Sequence, residues 1–253
     1  MRYWNLIRTF SNWPLYFGFK SGLVKTGELE FHTRSGLRIF VPAQLIVEFK
    51  EIFFSGAYSR GFESLGALEN VVDIGANVGF FSMFALHEFK AKNVFAYEPV
   101  PANYSQLTKN TSANRSSSVR TFRLGVSRES GPRELSLNST QEFTTAATVG
   151  GLTHESNTAG NIVIDCVDLR TVVTEHVGQP IDLLKLDCEG SEYDILYNGM
   201  AVLPNIRRIV AECHHIDDKN QNQAALASFL RDKGYRALES GPMIYATRSS
   251  AYG

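Results

Sequence analysis

Residues 71–82, VVDIGANVGFFS, decide how this chain is read. Val71, Val72 and Ile74 form a β-branched run broken by a single acid, Asp73, the pattern of a buried strand. Gly75, Asn77 and Gly79 alternate through the next five residues. Phe80, Phe81, Met83, Phe84 and Leu86 then supply the apolar side of a helix. Glycine is required where the backbone takes positive φ or where no Cβ fits beside a ligand. A helix that starts directly after such a turn aims free N–H groups at whatever lies over the loop. The dinucleotide pattern G-x-G-x-x-G would need glycines where Asn77 and Phe80 stand. The acid ahead of the turn suits a cationic ligand end better than a pyrophosphate. S-adenosylmethionine, with its α-amino group and sulfonium, has such an end.

A second acid supports a nucleoside. Residues 93–99, NVFAYEP, read as the next strand, ending at Glu98. Glu98 follows the turn by roughly 20 residues, the spacing at which a carboxylate reaches ribose hydroxyls.

The surrounding chain is that of an ordinary folded protein. Its 253 residues suffice for one large or two small domains; 43% are hydrophobic and 20% charged. A net charge of −1 gives no electrostatic footprint for nucleic acid. Three cysteines, Cys166, Cys188 and Cys213, are odd in number and form no C-x-x-C pair, which argues against a disulfide scaffold and a zinc site. A reducing compartment, the cytoplasm, is expected. No apolar run approaches the roughly 20 residues of a membrane span.

From residue 71 strand and helix patterns alternate, which predicts a mostly parallel sheet with helices on both faces. Strands are expected at 71–74, 93–98, 119–126, 161–167, 181–186 and 207–213, with a closing hairpin over 235–247. Val126, at the end of the third strand, falls where an adenine should rest. Asp168 is expected to cap the helix over 169–177, and Ser191 the one after 190. Residues 138–160, with His154, read as a long polar loop. Ahead of the sheet, residues 1–60 form an extension. It holds an aromatic and basic stretch over 1–34, a strand pair over 28–42 turning at Ser35-Gly36, and a helix over 44–54. That first stretch is expected to pack on the domain or act as a lid, and its mix of aromatics and cations also suits a membrane surface. The main domain is expected over 61–253.

The second informative stretch is residues 181–196, IDLLKLDCEGSEYDIL. Lys185 lies in a buried strand, where an ammonium must be answered by Asp187, Glu189 or a ligand. Asp187 and Glu189, with Glu212 and His214 of the following AECHH, reach the carboxyl edge of the sheet, where ligands of such folds bind. A histidine there takes protons near neutral pH. Asp187, Glu212 and His214 could alternatively hold a divalent metal.

Three blocks, VVDIGANVGFFS, FAYEPVPANYSQLTKN and IDLLKLDCEGSEYDIL with the trailing VAECHH, resemble the FkbM-type class I S-adenosylmethionine methyltransferases. The resemblance implies an α/β, Rossmann-like fold with a seven-stranded sheet whose last strand is antiparallel. It also implies methyl transfer to a hydroxyl of a sugar, glycan or secondary metabolite. Carried over, it places the methionine part of the cofactor on Asp73, Gly75, Asn77 and Gly79, the ribose on Glu98, and the acceptor among Asp187, Glu189, Glu212 and His214. His214, Asp187 and Glu189 are the expected catalytic residues. Two rivals are a cofactor binder without chemistry and a nicotinamide dehydrogenase; the missing glycines disfavour the second.

Overall fold

The computed structural model describes residues 2–62, 65–114, 118–137, 147–149 and 160–249. His154 and most of the loop expected over 138–160 lie outside the described residues.

The extension opens with two short helices, α1 (Arg2–Thr9) and α2 (Pro14–Lys20), the second started by proline at its first turn. The antiparallel pair β1 (Glu28–His32) and β2 (Arg38–Pro42) follows, and then α3 (Ile46–Ser55). Gly56 closes α3 in the left-handed conformation.

The main sheet is assembled from β3 (Asn70–Ile74), β4 (Asn93–Tyr97) and β5 (Val119–Phe122), with α4 (Phe80–Glu88) and α5 (Pro101–Ser112) as crossovers. The chain then leaves this sheet. Strands β6 (Gly125–Ser127), β7 (Gly131–Leu137), β8 (Ala147–Val149) and β9 (Gly160–Asp168) form a separate four-stranded sheet in the order β6-β9-β7-β8. The single strand expected over 119–126 is therefore two strands in two sheets, broken at Arg123-Leu124. The strand expected over 161–167 belongs to this smaller sheet. Asp168 caps α6 (Leu169–Thr171) as expected, its Oδ1 accepting from the Thr171 amide at 2.7 Å. The helix continues over Val172–Val177 with π-type winding.

The chain returns to the main sheet through β10 (Leu183–Leu186), α7 (Glu192–Asn198), β11 (Arg208–Glu212) and α8 (Gln223–Asp232). The hairpin β12 (Tyr235–Ser240) and β13 (Met243–Arg248) ends it. The final order is β12-β13-β11-β10-β3-β4-β5, with β13 alone running against the other six. Ser191 makes no side-chain cap to α7, so the expected capping box does not form. The adjacent Glu192 takes the Cys188 amide instead, at 3.0 Å.

Alternation along the strands divides the core between the two sheet faces. Val71, Leu183 and Val210 pack with α3, α4 and the extension, whereas Val72, Ile74, Leu184, Leu186 and Ile209 pack with α7 and α8. The extension shares a continuous apolar cluster with the main domain across residue 60. Phe49 of α3 is its hub. It is fully buried, with ring centroids 4.7 Å from Phe31, 5.3 Å from Phe10 and 5.4 Å from Phe80. Phe49→Ala should cost about 3–5 kcal/mol in urea unfolding, and the loss should appear in one cooperative transition because the ring joins the extension to α4.

Candidate functional site

Strand β3 is flanked by β4 on one side and β10 on the other. The chain fills the first side of the sheet before it crosses to the second. This is a topological switch point, where a crevice opens beyond the carboxyl ends of the strands. The turn after β3, the end of β4 at Glu98 and the end of β10 at Asp187 meet there.

The turn is held from below by a buried ion pair. Lys185 stands beside Asp73 in the β3–β10 register, with its ammonium 3.1 Å from Asp73 Oδ1. It also donates to the carbonyls of Gly75 at 2.7 Å and Ile74 at 3.3 Å. Ser82 of α4 donates to the other Asp73 oxygen at 2.7 Å. Burial alone would lower the Lys185 pKa, but Asp73 and then Asp187 more than offset it and the net shift is upward. The expected partners of Lys185 were Asp187 or Glu189. Asp187 is 3.8 Å away at the rim, and Asp73 takes the main contact because it is level with Lys185 on the adjacent strand.

Two residues of the expected cofactor loop, Asp73 and Gly79, are buried. Asp73 is fully buried beneath the turn and lines neither of the two cavities described below, so it shapes the loop from underneath. Gly79 is buried too. Its φ of 87° starts α4 in the left-handed region that favours glycine, and a Cβ there would lie 2.6 Å from Leu107 Cδ1. Gly75 and Asn77 do face the crevice, with φ of 72° and 49°. A Cβ on Gly75 would fall 1.9 Å from the Asp187 carbonyl oxygen, so the turn must be bare where β3 and β10 converge.

Two cavities open over the turn. The smaller, about 90 Å³, is lined by Gly75, Asn77, Glu98, Asn103, Gly125 and Val126 among others. The larger, about 640 Å³, is lined by Gly75, Asn77, Tyr58, Asp187, Glu189 and His214, together with residues of α3 and of the β12–β13 turn. Gly75, Asn77, Asp187 and Glu189 belong to both. Glu98 is 5% exposed, and its oxygens accept the amides of Asn77 at 2.8 Å and Val100 at 2.9 Å. Burial raises its pKa to about 7 despite these bonds. Asn77 Oδ1 is buried with no hydrogen-bond partner. A small cavity, an orphaned acceptor beside it and a carboxylate on its wall fit a nucleoside with an amino-bearing tail.

On the far side, Asp187 Oδ2 accepts from the buried Tyr58 hydroxyl at 3.2 Å. His214 Nδ1 is 2.9 Å from Glu192 Oε1, and its Nε2 is 3.6 Å from Glu189 Oε2. Burial alone would lower the His214 pKa; the hydrogen bond and charge of Glu192, then Glu189 and Asp187, raise it to about 9. Burial pushes Glu189 up to about 7. One donor atom each from Asp187, Glu189 and His214 lies within 4.8 Å of the others, a set of two carboxylates and an imidazole that suits a divalent ion. Glu212, an expected ligand, is not part of this set, although it lines the same cavity. Glu192 was not singled out as a site residue from sequence, although its i+3 spacing from Glu189 was available as a signal. Tyr58, just ahead of the central strand, was expected to pack in the core or to stack over the cofactor; it is buried, and its hydroxyl reaches Asp187.

Comparison with known proteins gives the family. The family model described as "Methyltransferase FkbM domain" matches residues 73–237. The chain is 30% identical over 79% of its length to the 31-O-demethyl-FK506 methyltransferase FkbM of Streptomyces tacrolimicus, covering 85% of that protein. It is 28% identical over 56% of its length to the hexuronic acid methyltransferase AglP of Haloferax volcanii, covering 54% of it. Among solved structures, methyltransferase FkbM from Methylobacillus flagellatus superposes with a TM-score of 0.53 at 15% identity. That match covers 81% of this chain and about half, 54%, of the other, and shows the common fold. The chain belongs to the FkbM methyltransferase family and is an S-adenosylmethionine-dependent methyltransferase.

The buried pair gives a test that needs no ligand. Lys185→Met leaves the Asp73 carboxylate buried and uncompensated and should cost about 3–5 kcal/mol. Adding Asp73→Asn should recover much of that loss in thermal denaturation, and equal, additive losses would contradict the pairing.

Proposed function

We propose that this enzyme transfers the cofactor's methyl group to a hydroxyl oxygen of a small polyhydroxylated acceptor, a sugar, glycan or secondary metabolite. The observation that carries the reading is the sharing of Gly75, Asn77, Asp187 and Glu189 by two unequal cavities. A cofactor laid across the turn has its nucleoside beside Glu98 and Val126 and its sulfonium end toward the larger space. There Asp187, Glu189 and His214 surround the acceptor oxygen. A relative named for 31-O-demethyl-FK506 and another named for hexuronic acid support an oxygen acceptor.

Positioning supplies much of the rate of such a transfer, because the methyl moves in line between sulfur and oxygen with little covalent help. The acceptor proton must still leave. His214, fixed through Nδ1 by Glu192, presents Nε2 to it. At neutral pH the imidazole is largely charged, so it acts as base through its discharged fraction or after proton transfer to Glu189. A divalent ion on Asp187, Glu189 and His214 is the second reading, supported by their convergent donor atoms; it would lower the hydroxyl's pKa. His214→Ala should lower kcat by about 10²–10⁴-fold on a hydroxylated acceptor. Activity that survives exhaustive chelation assigns that loss to the base, and activity restored only by added Mg²⁺ or Mn²⁺ assigns it to the ion. Transfer only to amines, or to no member of a broad hydroxyl panel, would overturn the oxygen acceptor.

Glu98 makes cofactor affinity depend on pH. Two ribose hydroxyls donate to a carboxylate but not equally to a carboxylic acid. Its raised pKa of about 7 means the binding form is lost as pH falls through 7. Calorimetry should show affinity rising from pH 6 toward 8 and levelling above. Glu98→Gln should bind more weakly with that slope abolished.

A further inference from the structure

The extension carries a surface that methyl transfer does not use. Residues 1–27 hold four of the 25 Lys and Arg residues and none of the 26 Asp and Glu residues; the first acid is Glu28. Both tryptophans, Trp4 and Trp13, lie there as well. The segment is thus cationic while the rest of the chain is net anionic.

Its inward side is accounted for, because Leu6, Phe10 and Tyr16 are buried and the Asn5 side chain donates to the Phe54 carbonyl of α3. Its outward side is not. Four of the eight exposed large apolar residues among the described residues are Tyr3, Trp4, Phe17 and Leu23, with Trp4 67% and Leu23 85% exposed. Tyr3, Phe17 and Leu23 cluster. The Tyr3 and Phe17 rings are 5.3 Å apart, and Lys20 Nζ lies 3.5 Å from the Tyr3 hydroxyl. Phe17, Lys20 and Leu23 edge one shallow groove, and Trp4 stands next to Tyr3 on α1. Lys25 is exposed two residues beyond Leu23.

We propose that this patch docks on an anionic lipid surface. Tyr3, Trp4, Phe17 and Leu23 would enter the boundary between headgroups and acyl chains. Lys20 and Lys25 would meet lipid phosphates. The chemistry favours a bilayer over another protein. Trp and Tyr have an apolar body and a polar tip and settle at the headgroup level. Apolar and aromatic side chains beside Lys20 and Lys25 give both contributions to interfacial binding, buried area and attraction to anionic lipid, while Arg8 is paired with Glu88 at 3.6 Å. Two helices of eight and seven residues lie on the surface and do not cross it. No helix among the described residues is long and apolar enough to span a membrane.

Flotation of the full chain with phosphatidylcholine vesicles, with and without phosphatidylglycerol, tests this. Binding should require the anionic lipid, weaken with salt and shift tryptophan emission to the blue. Lys20→Ala and Lys25→Ala should each weaken partitioning about fivefold, the factor for one surface cation. Trp4→Ser with Leu23→Ser should abolish flotation while cofactor binding, which reports a folded enzyme, is kept. Absence of flotation with anionic vesicles overturns the proposal, as does unchanged flotation of the double variant. So does a dimer in solution that the double variant converts to monomer without any lipid binding, which would assign the patch to a second copy of the chain.

Discussion

The active crevice depends on one buried contact, the Lys185–Asp73 pair beneath the glycine turn. An ammonium and a carboxylate in the middle of a sheet are each costly to desolvate. Here they meet at the same level of adjacent parallel strands, and each makes further bonds. Lys185 takes the carbonyls of Ile74 and Gly75, which end β3 and begin the turn; Asp73 takes the Ser82 hydroxyl of α4. The pair therefore fixes strand, turn and helix together. It also fixes the spacing of β3 and β10, which is why Gly75 lies so close to the Asp187 carbonyl that no side chain fits. The cofactor loop is shaped by groups that do not face the cofactor cavity.

That arrangement explains what could be read from the sequence. The strand–turn–helix at 71–82, the acid at the end of β4 and the K-x-D-x-E-G stretch were legible because each is local and is imposed by backbone geometry. The seven-stranded order with its opposed last strand followed from the family resemblance and is observed. What was not legible depends on register between strands. Nothing in a linear pattern tells that Lys185 falls level with Asp73 and not nearer Asp187. Nothing in residues 119–126 tells that β5 and β6 pair with different sheets, since both halves are short and similarly apolar. Ser191 has the residue type and spacing of a cap, yet it makes no cap bond; the neighbouring Glu192 Oε1 takes both the Cys188 amide and His214 Nδ1.

The electrostatics of the larger cavity follow from the same geometry. Asp187, Glu189 and Glu212 converge at one edge of the sheet, and burial works against charging Glu189 and Glu212. Glu189 and Glu212 are both pushed upward, with the neighbouring acids adding to the effect. A positive charge brought to this edge would relieve that repulsion. His214 stands between Glu189 and Glu192 and supplies the compensating charge when the edge is empty.

The larger cavity also shows why family membership fixes the reaction more firmly than the acceptor. Its sheet-side wall, from Gly75 to His214, lies inside the matched region 73–237. Its other wall is Glu48, Glu51, Ile52, Ser55, Tyr58 and Arg60, all from α3 and the turn after it, and all ahead of that region. Tyr58 reaches from this wall to Asp187, so the two walls are joined at the reacting edge. The extension is anchored to the sheet through Phe49 and the aromatic cluster around it, and its aromatic packing thereby sets the distance between the walls. The cavity is thus bounded by residues of the matched region on the sheet side and by α3 and the β12–β13 turn, both outside that region, elsewhere.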